Sequence, residues 1–139
     1  FHPSGSLGTK LKTVEDLMLI KNKIPFIDEN SSMKKALNII TLKKLGTLIA
    51  IDRKKRTTGI ITDGQIRRMN IQNKNLHTLK VKDVMTKNPI KVDKETLAVK
   101  ALSIMNENKI TSLCVNSGSN KHRTVGIIHI HNIIQNTIN

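Results

Sequence analysis

The chain has 139 residues, 37% of them hydrophobic, and a formal net charge of +14. No apolar run approaches the ~20 residues that a membrane-spanning helix needs, and no secretory signal pattern is present. Aromatic residues make up 1% of the chain, so the core must be aliphatic and the stacking platforms for single-stranded nucleic acid are missing. The positive charge is spread along the sequence. It reads as solvated lysine that suits a small anionic ligand rather than as a nucleic-acid interface. The lone Cys114 can form no internal disulfide, which fits a reducing cytoplasm.

The chain begins at Phe1, without a Met, and reads as a piece of a longer protein. Residues 1–12, with Pro3, Gly5 and Gly8, read as a connector. Thr13-Val14-Glu15-Asp16 is a capping-box-like start to a short helix ending near Met18. Ile24 to Ile27 is a brief extended segment, because Pro25 biases its predecessor away from the helical region. Ser31 or Ser32 caps a helix to about Lys44, in which Met33, Ala36, Leu37 and Ile40 form a buried face. Gly46 follows it as a stop. Thr47 to Ile51 is a strand, Asp52 to Thr58 a basic turn, and Gly59 to Thr62 a second strand. A helix follows from Asp63 to about Asn70.

Residues 70–80 read as a linker, after which the landmarks return. Val81 to Met85 repeats Val14 to Met18, and Pro89 repeats Pro25. Ala98, Ala101, Leu102 and Met105 repeat the helical face. Leu113 to Val115 repeats Leu48 to Ala50, followed by a longer polar loop over 116–123. Gly126-Ile127-Ile128-His129 repeats Gly59-Ile60-Ile61-Thr62, with Asn132 at the position of Gln65. Two copies of one supersecondary unit follow, residues 13–69 and 81–139, each too small to bury its sheet alone. Each copy reads β-α-β-β-α, an α/β (α+β) class, with the copies packed through their sheets.

The strand-to-helix step at Thr62 is expected to leave backbone N–H groups outward at a helix start, where an anion is favoured. Thr62 can add a hydroxyl and Gln65 can reach a ribose or base. Thr62 and Gln65 also form a Thr-x-x-Gln capping box, which stabilises a helix with or without a ligand. Arg67 and Arg68 add charge, and neighbours in sequence cannot both face one cleft. In the second copy His129, His131 and Asn132 occupy the matching stretch. His129 and His131 alternate along an extended segment and so should point the same way. Two histidines without a further spaced ligand do not make a zinc site, and neither a metal nor a cofactor is expected. Cys114 reads as a small core residue, and Arg53 to Arg56 as a solvated hairpin tip.

Glycine, two apolar residues, Ser or Thr, two residues, then Asp is the signature of the CBS domain, and Gly59-Ile60-Ile61-Thr62 resembles its first part. Gln65 and Asn132 stand where that family carries Asp, and His129 replaces the Ser or Thr of the second copy. The tandem resembles a CBS pair, a regulatory module whose clefts usually take adenosine-type or other nucleotides. The order His2-Pro3-Ser4-Gly5, Val14 to Met18, Thr62-Asp63-Gly64 with Arg67-Arg68, then His129-Ile130-His131 is similar to the C-terminal half of bacterial D-arabinose 5-phosphate isomerases. Those enzymes join a sugar-isomerase (SIS) domain to a CBS pair and serve the route to the lipopolysaccharide sugar Kdo. The resemblance implies that the SIS domain, with most catalytic groups, lies outside this chain. His2 matches an active-site histidine of the family, incomplete by itself. It further implies a nucleotide or nucleotide-sugar ligand, with CMP-Kdo the best single guess, and homo-oligomers formed through the pairs. A structural oligomerisation module with decayed sites is the alternative, and nucleic-acid binding a more distant one.

Overall fold

A computed structural model describes residues 11–43, 45–71 and 75–136, with backbone alone for 70 and 71. His2 and the connector residues 1–10 lie outside the described residues. In chain order the elements are α1 (Val14–Leu17), β1 (Phe26–Asp28), α2 (Met33–Lys43), β2 (Thr47–Ile51), β3 (Thr57–Thr62) and α3 (Asp63–Ile71). Then come α4 (Val81–Val84), β4 (Thr86–Lys87), β5 (Lys91–Asp93), α5 (Ala98–Asn108), β6 (Ser112–Ser117), β7 (Asn120–His129) and α6 (Ile130–Ile134). The expected β-α-β-β-α order therefore occurs twice. The chain forms two compact units, Pro25–Pro89 and a second that joins the segment up to Ile24 with Ile90 onward.

In the unit Pro25–Pro89 the sheet order is β1-β2-β3-β4, with β1 parallel to β2 and the other pairs antiparallel. Ser32 starts α2, its hydroxyl accepting the Lys35 N–H at 3.1 Å. The helical spacing of Met33, Ala36 and Ile40 turns one face of α2 onto Leu48, Ala50 and Ile61 of the sheet, and these residues form one aliphatic cluster with Val81 and Val84. Gly46, with φ +71°, makes the turn into β2, where a Cβ would lie 2.9 Å from the Asp63 carboxylate.

The other unit repeats this plan with the sheet β5-β6-β7. Its cluster joins Val14, Val92, Ala98, Ala101, Met105, Leu113, Val115, Ile128 and Ile133. Leu19 takes the place that β4 holds in the first unit. Its N–H and C=O pair with those of Ile127 at 2.8 and 3.0 Å.

Two sequence expectations are corrected here, and the short helices add a feature that the sequence did not show: each gives its first backbone hydrogen bonds to the other sequence copy. The Val14 and Glu15 amides of α1 donate to the Thr96 and Lys94 carbonyls, at 2.7 and 3.0 Å. Those of Val81 and Lys82 in α4 donate to Ser31 and Glu29, at 2.8 Å each. A helix start needs acceptors for its first amides, and a turn far along the chain supplies them. The unit boundaries thus cut across the sequence repeats. Residues 116–123 are not a loop, because β6 and β7 extend through them as a hairpin with two register shifts. The two prolines are also not equivalent. Phe26 pairs with Ile49 as Lys91 pairs with Cys114, which sets Ile90 at the position of Pro25.

Candidate functional site

Each unit has a junction where the last long strand of its sheet enters a helix. At the first, Thr62 N–H donates to Gln65 Oε1 at 3.1 Å and Gln65 N–H donates to Thr62 Oγ1 at 3.3 Å, the reciprocal cap that the sequence spacing announced. The Asp63 amide donates to the Gly46 carbonyl at 3.0 Å. The amides expected to point outward are therefore partly consumed inside the protein. Gln65 goes further: its Nε2 donates to the Val84 carbonyl at 3.3 Å and to Thr86 Oγ1 at 3.0 Å, tying α3 to α4 and β4. Of the two arginines, both exposed, Arg68 is the one brought to the junction. A Cβ on Gly64 would lie 3.4 Å from Arg68 Nη1 and 3.8 Å from Thr62 Oγ1.

The second junction has the same backbone and different chemistry. Ile130 N–H donates to the Thr111 carbonyl at 2.8 Å, as Asp63 does to Gly46. His129 is the N-cap. Its amide donates to Asn132 Oδ1 at 2.8 Å, and its Nδ1 accepts from the His131 amide at 3.1 Å. The expectation of one extended segment is corrected: His131 already lies in the first turn of α6. The rings meet all the same, with centroids 4.7 Å apart and planes 25° from parallel. Partial burial, aided by the neighbouring His131, holds the His129 imidazole below its usual titration range. With Nδ1 accepting, the neutral ring carries its proton on Nε2. Ser112, which the sequence reading did not single out, is paired with His129 across the β6–β7 ladder. Its Oγ is buried with no hydrogen-bond partner. Only the strand register exposes this relation.

The remaining candidates stay apart from both junctions. Among the described residues no group of three or more His, Cys, Asp or Glu is placed to hold a metal. Cys114 is buried, and burial pushes its thiol up to about 12, which leaves it an inert core residue. Asp52 organises the exposed basic turn, accepting from the Lys54 and Arg56 amides at 2.9 Å each and from Arg56 Nε at 2.8 Å. Among the described residues no helix is long and apolar enough to cross a membrane.

The repeated glycines have a packing cause. A Cβ on Gly59 would meet Met85 Sδ and the Thr86 carbonyl oxygen, both at 2.7 Å. One on Gly126 would meet Met18 Sδ, and Met18 Cγ at 2.9 Å. The methionine after each short helix lies directly on the strand glycine of the unit it joins. That contact links the two motifs that recur in the sequence; both junctions carry polar side chains, and the second adds the stacked rings of His129 and His131.

Comparison with known proteins agrees with this geometry. The family model "CBS domain" matches residues 14–70 and 81–138. Arabinose 5-phosphate isomerase KdsD of Yersinia pestis is 37% identical over 135 residues, which is 96% of this chain and 40% of the relative's own length. The structure of CBSX2, from Arabidopsis thaliana, in complex with AMP matches with a TM-score of 0.79 at 23% identity, covering 91% of this chain and 96% of that one. The CBS pair of protein MJ0100 with 5'-methylthioadenosine and S-adenosyl-L-methionine gives 0.77 at 22% identity, covering 90% and 94%. Two matched repeats, each with its β-α-β-β-α core and its glycine under a methionine, make the chain a member of the CBS-domain family, a tandem pair related to the arabinose 5-phosphate isomerases.

Proposed function

We propose that this chain is the cytoplasmic regulatory part of a D-arabinose 5-phosphate isomerase, where it senses a nucleotide or nucleotide sugar and signals to a SIS domain of the same parent. The parent interconverts D-ribulose 5-phosphate and D-arabinose 5-phosphate on the way to Kdo and lipopolysaccharide. The pair itself is non-catalytic, with His2 a remnant of the parent's site, and it associates through its CBS modules. CMP-Kdo, the activated end product, is the ligand that would make the pair a feedback sensor. Supporting this is the 37% identity to KdsD over nearly the whole chain. The observation that carries the sensing role is the polar junction repeated in both units, Thr62 with Gln65 and Arg68, and His129 with His131 and Asn132. Calorimetry and melting curves with CMP-Kdo, CMP, AMP and ATP test it. Ligand at a hundred times its dissociation constant stabilises a fold by about 2.7 kcal/mol, a melting shift of a few degrees. No heat and no shift at millimolar ligand would sink the sensing role. The second reading, a structural oligomerisation module, is favoured at the first junction, where Gln65 is occupied by Val84 and Thr86.

A further inference from the structure

The methionine seated on each strand glycine meets different neighbours in the two units. We infer that Met18 is a redox-sensitive clasp: oxidation of its thioether by a peroxide frees α1 from the rest of its unit, while the matching Met85 tolerates the same change.

The seat of Met18 is tight and apolar. A Cβ on Gly126 would meet Met18 Sδ and, at 2.9 Å, its Cγ, so the thioether lies against the strand backbone. Met18, like Leu17 and Val125, packs against the cluster that contains Val14, Leu113 and Ile128. It is also partly exposed, as are Met69 and Met85, whereas Met33 and Met105 are wholly buried. Cys114, the one thiol of the chain, is buried and offers a peroxide no competing target. An oxidant in solvent therefore reaches Met18 before the core.

The step needs no reactant beyond the peroxide. A sulfur lone pair attacks one oxygen of hydrogen peroxide, the O–O bond breaks, sulfur keeps that oxygen, and the other leaves as water. Sulfur is oxidised and the peroxide is reduced. The product is a polar sulfoxide where a weakly accepting thioether stood. The two seats differ in what they offer it. Thr58 and Val125 are corresponding residues, each skipped by the ladder one position before the strand glycine. Thr58 Oγ1 lies 3.8 Å from Met85 Sδ, so a sulfoxide there has a hydroxyl donor at hand. Val125 has no donor to give. An oxidised Met18 leaves its seat for water, because a polar atom held in apolar surroundings without a partner is costly. What remains to hold α1 is slight. The helix has four residues, too few to be stable alone. Its long-range ties are the Val14 and Glu15 amides on Thr96 and Lys94, with the Lys12 carbonyl before it and the Leu19–Ile127 pair after it.

Graded hydrogen peroxide applied to the 139-residue chain tests the clasp, with peptide mass spectrometry, melting curves and amide hydrogen exchange as readouts. Met18 should gain one oxygen well ahead of Met33 and Met105. The melting temperature should then fall by several degrees. Protection of the Val14, Glu15 and Leu19 amides should drop about tenfold or more, while the β2–β3 amides keep theirs. M18L, a swap that cores accept well, should keep both melting temperature and protection after peroxide, whereas M85L and M69L should respond like the parent. Methionine sulfoxide reductases should restore the oxidised chain. If M18L does not fold, the double variant M69L/M85L decides, because Met18 is then the one partly exposed methionine and the full response should persist. Oxidation of Met18 no faster than that of Met33, a response in M18L equal to the parent's, or its loss in M69L/M85L would overturn the assignment.

Discussion

Residue by residue, the chain is most constrained where two motifs touch. Gly59 and Gly126 occupy the same place in their units, yet the atoms over them differ. Above Gly59 the Thr86 backbone oxygen is as close as the methionine sulfur, whereas above Gly126 the nearest atoms belong to the flexible Met18 side chain and the Leu19 oxygen is 3.1 Å away. Gly59→Ala should therefore cost about 1–3 kcal/mol in urea denaturation, and Met85→Ala should not relieve it. Gly126→Ala should cost less, and a double-mutant cycle with Met18→Ala should show favourable coupling. Equal costs and equal coupling at the two sites would contradict this account. His129 supplies a second residue-scale test. Its folded form titrates below the ordinary value of 6.5, so the unfolded chain takes up the proton first as pH falls. Its contribution is complete above about pH 6.5 and is lost as pH drops towards the lowered value. His129→Thr, which keeps an N-cap oxygen and removes the titration, should flatten the fall in melting temperature between about pH 7.5 and pH 5. An unchanged pH profile would show that His129 does not titrate this way.

Among the elements, helix starts decide most of the local structure, and they were the easiest features to read. Thr13 with Asp16, Ser32, and Thr62 with Gln65 are pairs within one turn, so spacing alone reveals them. Gln65→Ala removes a cap acceptor and two long-range donor bonds. It should lower stability by about 1–2 kcal/mol, and by more than Asn132→Ala, whose carboxamide makes one bond; denaturation midpoints decide the order. What escaped the sequence is equally physical. Nothing in Val14-Glu15-Asp16-Leu17 says that its amides will find Thr96 and Lys94. The hairpin over 116–123 looked like a loop because its residues are polar, but a ladder needs only backbone groups. Ser112 entered the site through strand register, which local pattern does not fix.

At the scale of the whole molecule, the charge of +14 is spread along the sequence. Any DNA or RNA binding should be weak and fall steeply with salt; nanomolar, sequence-selective binding at physiological salt would contradict that. The division into units makes a sharper claim. The sequence repeats suggest cutting near residue 80, but every member of the first aliphatic cluster, from Ile27 to Val84, lies within Pro25–Pro89. A fragment of residues 13–80 loses Val81 and Val84 from that cluster, Met85 from its seat on Gly59, and the carbonyl and hydroxyl that hold Gln65. It also keeps Val14, whose own cluster begins again at Val92 and has been cut away. Burying a Val side chain is worth about 1.5–3 kcal/mol, so these losses together rival the whole stability of so small a domain. The two fragments are similar in length, which makes the comparison fair. Residues 25–89 should retain helical circular dichroism and protected β2–β3 amides under conditions where residues 13–80 show neither. If the two fragments behave alike, or if 13–80 is the better folded, the exchange of the short helices does not control how this chain holds together.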